Sequence, residues 1–370
     1  MSLFEPGNHR WWAGVALAVA VSAAAVFSAA WLGEAVLGFD KSPVSAIMMA
    51  IVIGMLLANA VTLPERFETG LRFCARTVLR VGIMLLGIRL SLFAAGRFTL
   101  VALPFVLAAI AAGLSIVALL GRRLGLSRRL SGLIAVGTSI CGCTAIVATA
   151  PLIKADETEV SYAVACITLF GLVVMFLYPF IGYAVFGDQP ALAGLWLGTS
   201  IHETAQVAGA ALMYRTQYDA PLALDIATVT KLVRNLCMIA VIPLVGYLYA
   251  AGPRHAPTAG VGGWWRLIPW FIVGFALMSA LRTAGDAGER PFGVLDAGAW
   301  RRFVTTTQMA AEYCLLVAMA SIGLTSRFAG IRAIGPRPFV LGLFAAALIG
   351  GLSLLLILLF GDTLIRVVGV

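Results

Sequence analysis

Apolar runs of about twenty residues recur along the whole chain, separated by short polar connections. Eleven of them, roughly 11–33, 43–61, 71–93, 98–120, 130–153, 160–187, 190–213, 222–250, 266–283, 301–325 and 337–361, predict helices long enough to cross a bilayer. The period-2 alternation of a membrane β-barrel is absent. No connection is long enough for a soluble domain. The first run follows Arg10 and is too long for a signal-peptide core, so it reads as a real span. The pattern therefore predicts an all-α polytopic membrane protein.

Composition agrees. Hydrophobic residues make up 61% of the 370, charged residues 12%, and mean hydropathy is +0.99. A soluble domain carries about 25% charged residues, and a soluble fold of this length could not hide so much apolar surface. The net charge of +9 is almost all arginine in short loops, which suits anionic lipid and the positive-inside rule rather than nucleic acid. Arg10, Arg66, Arg72, Arg122, Arg123, Arg128, Arg129, Arg254, Arg327, Arg332 and Arg337 fall on one predicted side. Glu34, Asp40, Asp156, Glu157, Glu159, Asp219, Asp225, Asp286, Glu289 and Asp296 fall on the other. The arginine side is expected to be cytoplasmic, with the N-terminus inside and the C-terminus outside, although Arg282, Arg290, Arg301 and Arg302 break the pattern. The six cysteines all sit in apolar runs and read as packing residues, so no disulfide framework and no metal site are expected.

Two internal repeats compete. Setting the first run aside, Thr77–Met84 and Lys231–Met238 share an arginine at Arg80 and Arg234, and two runs open on Pro104 and Pro269. Arg128-Arg129 and Arg301-Arg302 precede the fifth and tenth runs. This alignment gives a five-plus-five repeat, inverted because five is odd, with residues 1–40 as an extra N-terminal helix, 41–188 as one half and 189–370 as the other. The rival pairs Gly137-Thr-Ser-Ile140 with Gly198-Thr-Ser-Ile201, and Pro179–Tyr183 with Pro243–Tyr247, as a parallel two-helix duplication. The five-plus-five alignment is preferred.

Polar groups at mid-membrane depth mark candidate chemistry. Thr138, Ser139, Cys141 and Gly142 in the fifth run suit an unwound break, whose half-helix N-terminus can hold an anion. Close packing of small residues is the plainer explanation. Thr306, Gln308 and Glu312 occupy the matching place in the tenth run. His202, Glu203 and Gln206 form a compact proton- or ion-handling set, or else a helix-to-helix hydrogen-bond network. Lys231, Arg234 and Asn235 share one helix face. Together with Arg80 they suit an oxyanion, because a guanidinium fork matches carboxylate, sulfonate or sulfate oxygens; they could instead neutralise Glu203 and Glu312.

The segments Gly137–Cys143, Ser200–Gln206, Lys231–Asn235, Met319–Thr325 and Gly335–Pro338 resemble the YeiH-type family, labelled sulfate exporters, over nearly the whole chain. The resemblance implies membership of the cation/proton antiporter and bile-acid symporter superfamily. That implies two crossing broken helices, here the fifth and tenth runs, and a panel from the first two helices of each repeat. The expected function is secondary transport of a small sulfate- or sulfonate-like anion by alternating access, coupled to a proton or sodium. A cation/proton antiporter is the alternative. An intramembrane enzyme is not expected, since His202-Glu203 lacks a second histidine at zinc-motif spacing and His9 and His255 lie outside the runs. No cofactor is expected. The expected partners are the anion, the coupling ion, the inner-membrane bilayer and a second copy in a homodimer.

Overall fold

The structure is a computed structural model that describes residues 10–32, 45–249, 268–288, 291–293, 296–327 and 335–368. Glu34, Asp40, Arg254, Glu289, Arg290 and Arg332, and both loop histidines, lie outside them. In chain order the helices are α1 (Arg10–Trp31), α2 (Ala46–Ala60), α3 (Glu68–Phe73), α4 (Leu79–Leu86), α5 (Leu92–Ala112), α6 (Ala118–Arg123), α7 (Arg128–Ser139), α8 (Cys143–Thr149), α9 (Glu157–Phe186) and α10 (Pro190–Ser200). They continue with α11 (Thr204–Tyr218), α12 (Pro221–Leu236), α13 (Met238–Tyr249), α14 (Trp270–Gly285), α15 (Ala297–Thr325) and α16 (Pro336–Val368). Single π-turns join α3 to α4 and α5 to α6. Among the described residues, six helical stretches are long and apolar enough to cross a membrane: 11–31, 92–123, 157–186, 221–249, 297–325 and 336–367.

Helix starts follow local chemistry. Ser45, Ser91 and Ser127 each accept a backbone N–H from the first turn. Asp156 and Glu159 form a reciprocal capping box at the head of α9. Pro190 and Pro221 begin α10 and α12, where a missing N–H costs nothing.

The chain folds as two compact units, residues 1–89 with 274–328, and residues 90–273 with 329–370. In the first, α2 and α15 cross where Gly54 meets the backbone of Ala320 and Gly323 that of Ile51. A Cβ on Gly54 would sit 2.7 Å from the Ala320 oxygen, so the close approach requires glycine. Ile88, Trp300 and Val304 form a small core here, and the indole Nε1 of Trp300 donates to Asp286 at 2.8 Å.

The second unit holds a feature that composition did not reveal. Gly137 at the end of α7 packs on Ile146 of α8, and Ser127 before α7 donates to Glu159 at the head of α9. Thus α7 enters the unit, the chain turns at Ile140–Gly142, and α8 returns to the end it started from. The segment 190–218 does the same from the other end. Gly194 and Gly198 of α10 lie against Ala223 and Ala227 of α12, so those helices run parallel. At the head of α11, Thr204 bonds Asn235; at its tail, Tyr218 stacks on Tyr183 with ring centroids 3.9 Å apart, so α11 runs back to the end where α9 stops. Two helical hairpins therefore enter from opposite ends, and their tips meet beside α12.

Several expectations change. The fifth and seventh apolar runs are hairpins, not crossings. The tenth run is an unbroken 29-residue helix, so the two interrupted segments are the fifth and seventh rather than the fifth and tenth. The matched Gly-Thr-Ser-Ile motifs both end an inbound limb, at Ser139 and Ser200. The rival pairing thus marks corresponding places, but in oppositely directed hairpins rather than in a parallel duplication. Because α8 returns to its starting end, Asp156, Glu157 and Glu159 share that end with Arg128, whose guanidinium donates to the Leu248 carbonyl at 2.7 Å. The charge map that set these acids opposite the arginines is corrected accordingly.

Candidate functional site

Each inbound limb ends in carbonyls that have no partner within the helix and carry the negative end of its dipole. Two residues on one face of α12 supply the partners. Lys231 Nζ donates to the carbonyls of Ile140 (3.0 Å), Ile201 (3.1 Å) and His202. Arg234 donates through Nε to Ser139 (2.8 Å), through Nη1 to Thr199 (2.8 Å) and Ile201 (3.1 Å), and through Nη2 to Thr138. Both side chains are at most 1% exposed. All three ammonium protons and four of the five guanidinium N–H groups are thus committed to backbone oxygens of the two tips. These cations pin the hairpins together.

The hydroxyls of Thr138, Ser139 and Thr199 donate back to their own helices, at Ile134, Ala135 and Leu195. Cys141 Sγ lies 3.0 Å from Met238 Sδ, and Cys143 Sγ lies 3.4 Å from Thr168 Oγ1. Gly142 turns the first tip at φ 70°, ψ −130°, a conformation that favours glycine. A Cβ there would also meet Glu203 Cβ at 3.2 Å. Gly142→Ala should lower stability by about 1–3 kcal/mol, measurable as a lower melting temperature of the detergent-purified protein.

Around the second tip several buried polar atoms have no hydrogen bond of ordinary geometry among the described residues: Ser200 Oγ, Thr230 Oγ1, both imidazole nitrogens of His202, Gln206 Oε1 and Asn235 Oδ1. Gln206 Nε2 donates to the Thr168 carbonyl at 3.3 Å, and Asn235 Nδ2 to Thr204 Oγ1 at 3.0 Å. Glu203, half-buried, precedes the first turn of α11 and does not cap it with its side chain. Each half-helix end is worth about half a charge. Lys231 and Arg234 face the negative ends of the two inbound limbs, and the positive N-terminus of α11 lies beside Glu203. Among the described residues no three His, Cys, Asp or Glu side chains converge to hold a metal.

The structure therefore brings together Thr138, Ser139, Cys141, Gly142, His202, Glu203, Gln206, Lys231, Arg234 and Asn235. Arg80, Thr306, Gln308 and Glu312 belong to the first unit. Arg80 is half-buried on α4, Thr306 is exposed on α15, and a Glu312 oxygen lies 4.0 Å from Arg89. None of the four contributes to the described bonds of Lys231 or Arg234. Thr168, Thr199, Ser200, Thr204, Thr230 and Met238, none of which is a site residue on the sequence alone, join those brought together at the tips. The repeated Gly-Thr-Ser-Ile motif flagged Thr199 and Ser200, whereas nothing in the sequence distinguished Thr168.

The family described as Conserved hypothetical protein 698 matches residues 13–342. A UPF0324 membrane protein of Bordetella pertussis is 33% identical over 90% of this chain and 92% of its own length. One from Listeria monocytogenes is 29% identical over 95% of this chain and 97% of its own. The UPF0324 inner membrane protein YeiH of Salmonella typhi is 29% identical over 93% and 95%. No solved structure matches. The chain is a multi-pass α-helical membrane protein that belongs to the YeiH-type UPF0324 family.

Proposed function

We propose that this protein is a secondary transporter of a small sulfate- or sulfonate-like anion, working by alternating access and coupled to a proton or sodium. The observation that carries the reading is the pair of oppositely entering hairpins whose tips meet inside the second unit. Discontinuous helices in opposed orientation are how secondary transporters build a site at mid-membrane. The buried guanidinium of Arg234 and the N-terminus of α11 favour an anion over a cation. The anion rests at the N-terminus of α11, beside Thr204, Gln206 and the Asn235 amide, whose oxygen and nitrogen exchange places by a flip. Lys231 and Arg234 act from behind, holding the tips and supplying field rather than direct contacts. Glu203, at the rim, carries the coupling proton or sodium, with His202 behind it. The end bearing Arg122, Arg123, Arg128, Arg129 and Arg337 faces the cytoplasm.

Counterflow in proteoliposomes tests this, with labelled sulfate, taurine and isethionate, each under a proton and a sodium gradient. One of the anions should exchange. Asn235→Leu should cut that exchange at least about tenfold, worth about 1.4 kcal/mol, with the melting temperature nearly unchanged. Exchange of sodium for protons with no anion flux, lost in Glu203→Gln, would instead establish the cation/proton antiporter.

A further inference from the structure

The second unit carries a groove of about 320 Å³ between α5 and α16, far from the hairpin tips in sequence. Pro104, Phe105 and Ala108 form one wall and Leu356, Phe360 and Leu364 the other, with Thr363 its single hydroxyl. The volume lies at the lower end of ligand pockets, roughly 300–1,000 Å³. Leu103, Leu107, Leu355 and Leu359, each next in the chain to a lining residue, are exposed. Both helices are of membrane length and apolar, so the medium at the opening is hydrocarbon. The groove exists because α5 presents the short side chains of Pro104 and Ala108 where α16 presents larger ones.

Charge marks one end of it. Arg97 precedes Pro104 by seven residues, two turns, and so shares its face about 10 Å nearer the start of α5. Arg366 follows Thr363 by three residues, close to the end of α16, where it also holds Asp362 at 2.8 Å. Cys166 and Phe170 of α9 meet Pro338 and Phe339, so α16 runs parallel to α9, while α5 and α6 run the opposite way into α7. The start of α5 and the end of α16 therefore lie at the same end of the unit, and both exposed arginines stand at the headgroup end of an apolar slot.

We infer that this groove binds an anionic phospholipid, one acyl chain lying along Phe105, Ala108 and Phe360 and the phosphate held between Arg97 and Arg366. A flexible chain is the occupant because the medium supplies it and the slot offers no polar group at depth.

The test uses the full-length protein, stripped of lipid in detergent, with phosphatidylglycerol or phosphatidylcholine added back. Native mass spectrometry reads retained lipid, melting temperature reads stabilisation, and light scattering reads the oligomeric state. Phosphatidylglycerol should be retained severalfold more than phosphatidylcholine and raise the melting temperature by several degrees. Ala108→Trp, which fills the slot, should abolish retention of both. The double variant Arg97→Gln with Arg366→Gln, confined to exposed side chains, should keep its fold and lose the preference for phosphatidylglycerol. Equal retention of the two lipids, or an unchanged preference in the double variant, overturns the assignment. So does an Ala108→Trp protein that keeps its lipid, whatever oligomeric state light scattering reads.

Discussion

Arg234→Met should be among the most damaging single substitutions in this protein. It removes four hydrogen bonds and leaves the carbonyls of Thr138, Ser139 and Thr199 buried without that partner. Ile201 keeps Lys231. Leaving a buried acceptor unsatisfied costs about 1–3 kcal/mol, and here three are left at once. The expected result is a large fall in melting temperature in detergent and a sharp loss of monodisperse protein. Arg234→Lys should rescue little, since a single ammonium cannot span four acceptors in a planar fork. A stable Arg234→Met protein that had lost only anion binding would show that the guanidinium serves the ligand and not the tips.

Gly194→Val should come next. A Cβ at Gly194 would fall 2.5 Å from the Ala223 oxygen and 2.9 Å from its Cα. Those are backbone atoms, so no rotamer change relieves the clash, and α10 must move away from α12. Overpacking of this kind costs about 1–3 kcal/mol or more. The displacement also draws Thr199 and Ile201 away from Arg234, so the loss should exceed that of an ordinary core mutant. Gly351→Ala is the control: nothing lies within 4 Å of the added carbon, and its melting temperature should hold or rise slightly. Equal melting temperatures for the two variants would contradict the parallel α10–α12 contact.

Much of the architecture could be read from the letters. Runs such as Leu92–Arg123 and Pro336–Val367 announce membrane helices because lipid demands apolar side chains and satisfied backbones. The polar break at Gly137–Thr144 was also legible, since glycines and hydroxyls make a poor continuous helix. Its course was not. A hairpin that enters and returns has the same composition and length as a crossing helix, and contacts such as Gly137 with Ile146 and Ser127 with Glu159 separate the two. The match of Arg128-Arg129 with Arg301-Arg302 points to a second break in the tenth run, which is continuous, because two charges before an apolar run mark any helix that starts at a membrane surface. Lys231 and Arg234 were legible as important, and their assignment to an oxyanion followed sound chemistry. The competing acceptors were backbone carbonyls freed at two helix ends, groups that every residue carries and no letter reports.

The double pin also constrains how the protein is made. Ser139 and Arg234 are 95 residues apart in the chain. At a synthesis rate of 5–20 residues per second, the first tip waits roughly 5–20 s for the side chain that satisfies it. Free carbonyls do not settle in hydrocarbon. The first hairpin must therefore wait in a wetter place, at the membrane surface or within the insertion machinery, until α12 arrives. A chain arrested before Thr230 would present an unpinned pair of hairpins to the cell's quality-control proteases.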